Sequence, residues 1–112
     1  MNLYKALQLI GFTKSNEPRK LERRGFWVKL EFKSDITYWH VGFNLESKRY
    51  EGEKRALHAL VLYGALSKED LAILIQLGYD KAKEELANYD KTKKRAEKLE
   101  TKILKEFEKR LH

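Results

Sequence analysis

The sequence predicts an α+β fold in a single domain, and three observations support this. Apolar and polar residues alternate from 26 to 45, which indicates a β-hairpin, and apolar residues at helical spacing fill both ends of the chain. The length of 112 residues suits one hydrophobic core. We therefore expect one domain over 1–112, with a helix, a basic loop and a hairpin in 1–50 and a helical part in 51–112.

The chain begins with a short predicted helix. Apolar residues recur at helical spacing from Leu3 to Ile10, after Asn2, a residue suited to an N-cap. Gly11 would end this helix. Residues 13–24 then hold the only proline and no apolar periodicity, so a basic, mobile loop is predicted there.

The hairpin is the clearest local signal. With Ser34 and Asp35 at the turn, the numbers of paired residues sum to 69, and this register places Leu30 opposite Trp39 on an apolar face. The other face is predicted to be half exposed, basic and aromatic. A third short strand over 48–51 is compatible with the sequence, and so is a loop.

Three helical segments are expected after the hairpin. Residues 53–66 are dense in apolar side chains, and Ser67 with Asp70 resembles a capping box that starts a second helix. A long charged helix could run over 80–110. Its apolar stripe lapses over 90–95, which leaves open whether that helix is continuous.

Composition excludes several classes of site. The chain has no Cys, so a disulfide framework, a thiol nucleophile and a thiolate zinc site are excluded, and its three His are far apart. We expect no metal and no cofactor. No apolar run has the length needed to cross a bilayer, and a signal-peptide layout is lacking, so a cytoplasmic location without membrane contact is predicted. Abundant Lys and Glu with no Cys also suit a thermophilic source.

The positive charge lies at the two ends of the chain. The formal net charge of +7 divides into +5 over 1–50, −2 over 51–89 and +4 over 90–112. A polyanionic partner should therefore meet the first part of the chain, the tail, or both.

These features favour a small, non-enzymatic protein that binds DNA or RNA. Phosphates attract cations, and unpaired bases stack on flat aromatic rings. The basic loop and the basic-aromatic hairpin would grip the phosphate backbone, with the basic turn of the tail as a second contact. The candidate binding residues are Lys14, Arg19, Lys20, Arg23, Arg24, Trp27, Lys29, Lys33, Tyr38, His40, Lys91, Lys93, Lys94 and Arg95.

Two motifs suggest other modes of action. Residues 66–72, followed by 77–82 and Leu86, resemble the helix-turn-helix of winged-helix DNA-binding domains, which implies a DNA-binding regulator whose helix from Asp80 enters the major groove. The triplet 31–33 (Glu-Phe-Lys) resembles half of the metal-dependent nuclease core of restriction-endonuclease-like folds. In that family the carboxylate holds a divalent metal and the lysine steadies the attacking water.

The main alternative is a structural or adaptor protein with no nucleic-acid role. An apolar stripe follows one side of the predicted tail helix, and it needs a partner within the fold or in a second copy of the chain. The latter would make a small homodimer through the C-terminal helix. The stripe consists of Ala96, Leu99, Ile103, Phe107 and Leu111.

Overall fold

The α+β fold is confirmed. The computed structural model describes residues 1–111, and for 102–104 and 106–111 it describes the backbone only. One helix precedes a five-stranded sheet, and four helices follow it. In chain order the elements are α1 (Leu3–Leu9), β1 (Thr13–Lys14), β2 (Lys20–Arg23), β3 (Phe26–Lys33), β4 (Ile36–Phe43), β5 (Glu46–Glu51), α2 (Glu53–Leu62), α3 (Lys68–Gln76), α4 (Ala82–Ala87) and α5 (Tyr89–Leu111).

The sheet is an antiparallel meander in which every strand pairs with its neighbours in sequence. The register of β3 with β4 is the predicted one, from Phe26 opposite Phe43 to Lys33 opposite Ile36. Ser34 and Asp35 form the turn with φ of 51° and 63°, as a type I′ turn requires. The third strand that the sequence left open is present as β5.

The prediction of a mobile loop over 13–24 is wrong for much of that segment. β2 pairs with β3 along its whole length, and β1 pairs with β2. Leu21 is fully buried opposite Val28, and this single apolar residue anchors β2 to the core. The segment shows no alternation in sequence because β2 has only four residues and β1 only two.

The sheet has two faces that differ in their surroundings. The inner face, which carries Leu21, Val28, Trp39 and Val41, forms one core with α1 and α2. The outer face carries the residues that alternate with these, and its side chains are half-buried or exposed. The helices α4 and α5 pack against α2.

The helical half follows the predicted order but not all predicted boundaries. α2 ends at Leu62 and not at 66, because Gly64 adopts a φ of +87° that breaks the helical path. The Ser67 hydroxyl accepts a hydrogen bond from the Asp70 backbone N–H, and the Asp70 carboxylate accepts one from the Ser67 N–H, which confirms the capping box.

The long predicted helix is interrupted. α4 ends at Ala87, and α5 starts at Tyr89, so the break lies at Asn88, just before the lapse in the apolar stripe. Of the stripe residues, Ile103, Phe107 and Leu111 lie outside the described side chains.

Candidate nucleic-acid interface

The outer face brings together six of the predicted binding residues. Because side chains alternate along each strand, residues of β2, β3 and β4 that pair across the sheet share this face. Lys29 lies between Lys20 on one side and His40 on the other. The six residues are Lys20, Trp27, Lys29, Lys33, Tyr38 and His40.

Acidic side chains neutralise much of this face. Glu17 lies 3.2 Å from Lys29 and 3.6 Å from Lys20, and the hydrogen bond from Lys29 with the charge of Lys20 lowers the pKa of Glu17. Glu31 lies 3.5 Å from His40 and 3.7 Å from Arg49. The outer face is therefore a mosaic of both signs and not a uniform cationic surface.

The two outer-face aromatic rings have close neighbours within the fold. The Trp27 indole lies on Gly42, where an added Cβ would overlap the ring carbons, and its Nε1 donates a hydrogen bond to the Asn44 carbonyl at 3.0 Å. The Lys20 ammonium is 4.6 Å from the centre of the Trp27 ring. The Arg49 guanidinium is 4.4 Å from the centre of the Tyr38 ring. Both rings thus already make cation–π contacts.

Arg23 lies on the inner face and holds three elements together, so it is not part of an exposed basic loop. Its guanidinium makes a bidentate pair with Asp70, at 2.8 and 3.3 Å, and is 4.7 Å from the centre of the Phe12 ring. It also donates hydrogen bonds to the carbonyls of Ile10 and Ala65. Its neighbour Arg24 is exposed in the turn between β2 and β3.

A second basic region, the edge cleft, lies beside the 14–20 segment. Its volume is about 490 Å³, and its lining includes Tyr4, Lys14, Arg19 and Phe32 as well as Glu17 and Lys20, which are paired with each other. Phe32 is 60% exposed, and the Arg19 guanidinium lies 5.5 Å from the centre of its ring. No described acidic side chain pairs with Lys14 or Arg19. The sequence predicts both cations as binding residues but neither ring, because Phe32 belongs to the apolar alternation and Tyr4 to a helix.

The third basic region is one side of α5, the α5 stripe, which consists of Lys91, Lys94, Arg95, Lys98 and Lys105. At 100° per residue these five positions fall within about 100° of arc and span about 21 Å along the axis. All five side chains are exposed. Among the described ion pairs none involves a residue of this stripe.

Lys93 does not belong to the α5 stripe. Its ammonium donates a hydrogen bond to the Val61 carbonyl at 2.9 Å, near the C-terminus of α2, and lies 5.6 Å from the centre of the Tyr89 ring. This contact fastens α5 to α2. Because α5 packs on α2 and α4, the α5 stripe and the outer face lie on different layers of the molecule.

The helix-turn-helix-like motif falls on α3 and α4, and the nuclease-like triplet falls on β3. α4, the counterpart of a recognition helix, has only six residues, and Lys83 pairs with Asp80 at 3.4 Å. Glu31 lies on β3 as the nuclease-like motif requires. Among the described residues, no three His, Asp or Glu side chains come together to hold a metal ion.

Comparison with known proteins finds no relatives. No protein-family model matches the chain. No curated protein and no solved structure matches it either. Within the part of the chain that the structure describes, none of the helices combines the length and the apolar character needed to cross a membrane.

Proposed function

We propose that the protein binds nucleic acid through its phosphate backbone, with the α5 stripe as the main contact and the edge cleft as a second one. The observation that carries this proposal is the row of exposed cations in α5 that have no acidic partner among the described side chains. Such cations release counterions from phosphates without first breaking an ion pair.

The predicted binding residues differ in whether an acidic side chain already pairs with them. On the outer face, Lys20 and Lys29 share Glu17, so a phosphate there would compete with a carboxylate. Lys14 and Arg19 have no acidic partner among the described side chains and lie beside two aromatic rings, while Glu17 of the same cleft is already paired with Lys20 and Lys29. This arrangement suits one phosphate with its attached base. Stacking of bases on Trp27 and Tyr38 remains a prediction from the sequence.

The test removes the charges of the α5 stripe. Replacing Lys91, Lys94, Arg95 and Lys98 with Gln should weaken binding to a fluorescein-labelled DNA duplex at least tenfold. It should also reduce the slope of log K against log salt concentration, by about 0.9 for each phosphate that the variant no longer neutralises. Fluorescence anisotropy at several salt concentrations measures both, and single strands and RNA are titrated in parallel.

The matched control removes four charges elsewhere. Lys54, Lys68, Lys81 and Lys83 are exposed on α2–α4 or in the segment between α3 and α4, and their replacement with Gln gives the same net charge. This control should retain most of the affinity. An equal loss in both variants would show that net charge alone acts, and a wild-type protein with no salt-sensitive binding would refute the proposal.

A second candidate function, self-association through α5, has one observation in its favour. Leu99 lies on the apolar stripe of α5 and is 46% exposed. If two copies pair there, Leu99→Glu should reduce the mass measured by light scattering to that of one chain, with the circular dichroism spectrum unchanged. Thr101→Glu adds the same charge on another side of the helix and should leave the mass unchanged. A monomeric wild-type protein at high concentration would exclude this candidate.

A further inference from the structure

A cleft between α2 and α4 contains a histidine–carboxylate pair that none of the functions above uses. Its volume is about 600 Å³, and Tyr50 of β5 lies at one side. Ala59 and Leu62 give it an apolar wall, while Arg55 and His58 of α2 and Glu85 of α4 supply charged and titratable groups. The cleft therefore offers both apolar and polar surface to a small molecule.

The position of His58 is fixed by Glu85. The Nδ1 atom lies 3.2 Å from both carboxylate oxygens, and Glu85 is only 7% exposed. A carboxylate only accepts hydrogen bonds, so Nδ1 carries a proton and donates a hydrogen bond to Glu85. The Nε2 atom makes no hydrogen bond with any described residue, and it is left for a ligand.

The lining of this cleft holds two cations, Lys54 and Arg55, and two carboxylates, Glu84 and Glu85, and one of the cations has no carboxylate partner among the described side chains. Glu84 lies 3.5 Å from Lys54, and Glu85 accepts a hydrogen bond from the His58 ring. Arg55 forms no ion pair with a described side chain. An incoming anion would therefore meet a free guanidinium, the side chain best suited to hold an oxyanion by two hydrogen bonds.

We infer that the cleft binds a small molecule that joins an oxyanion, phosphate or carboxylate, to an apolar ring. Arg55 and the Nε2 of His58 receive the oxyanion, and the ring lies on Ala59 and Leu62. With Glu85 on one side of the ring and the oxyanion on the other, Nδ1 and Nε2 would each donate a hydrogen bond to a negatively charged oxygen. This inference does not depend on nucleic-acid binding, since its residues lie on α2 and α4 and not in the α5 stripe.

The experiment titrates the whole protein with phenyl phosphate and, separately, with benzoate, and follows the histidine ring protons by NMR at fixed pH. His58→Gln assigns the His58 signal. We expect a saturable shift at His58 and none at His40, with a dissociation constant of order 1 mM. The tighter of the two ligands identifies the oxyanion as a phosphate or a carboxylate. Phenol carries only the ring of phenyl phosphate, and inorganic phosphate carries only its oxyanion. Each should bind more weakly than phenyl phosphate.

The variant that decides the inference is Arg55→Gln, which should weaken binding at least tenfold. Arg24→Gln, the same change in an exposed turn, should leave it unchanged. Three results would overturn the inference: no shift of His58 with either anion at about 10 mM, equal binding of phenol and phenyl phosphate, or wild-type affinity in Arg55→Gln.

Discussion

Replacing Arg23 with Ala should lower the free energy of unfolding by about 3–5 kcal/mol, because the change leaves the largely buried carboxylate of Asp70 without its cationic partner. The two side chains are only 13% and 16% exposed. The carbonyls of Ile10 and Ala65 would also lose their donor. Since small domains have about 5–15 kcal/mol of stability in total, this variant should be close to unfolding.

Urea denaturation followed by circular dichroism measures this effect. Arg24→Ala is the control, because Arg24 is exposed one residue further along the chain, and it should cost less than about 0.5 kcal/mol. Equal costs for the two variants would show that the Arg23–Asp70 pair contributes little.

The dependence of stability on pH provides a second measure of the same pair. Burial opposes ionisation of Asp70, but the hydrogen bond from Arg23, with those from Ser67 and the charge of Arg23, lowers its pKa below the ordinary 3.8. The stabilisation is therefore fully present above that value and is lost as the pH falls below it. Asp70→Asn should remove this part of the acid sensitivity.

The second large effect concerns the contact of Trp27 with Gly42. Gly42→Ala should destabilise the protein by about 1–3 kcal/mol, because the new methyl group overlaps the indole. In a Trp27→Ala background the same change should cost nothing or stabilise by up to about 1 kcal/mol, since Gly is a poor strand residue. The sign of the effect thus depends on whether the ring is present.

Urea denaturation of the four proteins completes the double-mutant cycle. Ser47→Ala is the matched control, because Ser47 is paired with Gly42 on β5 and is exposed. It should show no coupling to Trp27. If Gly42→Ala is equally destabilising in both backgrounds, the indole does not lie on Gly42 in solution.

Much of the sheet could be predicted because its signal is local. The alternation of apolar residues and a two-residue turn sufficed for the register of β3 with β4, including Trp39 as a core ring and Trp27 opposite Gly42. The same reasoning missed β2. This strand has one buried apolar residue, Leu21, and it is also held by a contact between Arg23 and Asp70, which are 47 positions apart. No local pattern reports a contact of that kind.

The candidate site was predictable only where local register places its residues. The hairpin register alone places five binding candidates on the outer face, and the sixth, Lys20, lies on β2, which was predicted as a loop. The acid that neutralises Lys20 and Lys29 is Glu17, in a segment without periodicity. Lys93 shares its run of sequence with Lys91 and Lys94, and only the packing of α5 on α2 separates their roles. Counts of charge cannot distinguish a cation used in packing from a free one.

The charge order of β5 affects how two copies of the sheet could meet. β5 is an edge strand, and edge strands are where sheets of separate molecules join. If two β5 strands paired antiparallel in full overlap, Glu46 would face Glu51 and Lys48 would face Arg49. Every charged residue would thus lie opposite a like charge, which destabilises cross-strand pairs. The order of its own charges therefore disfavours edge-to-edge pairing of β5 in the register that would form the most hydrogen bonds.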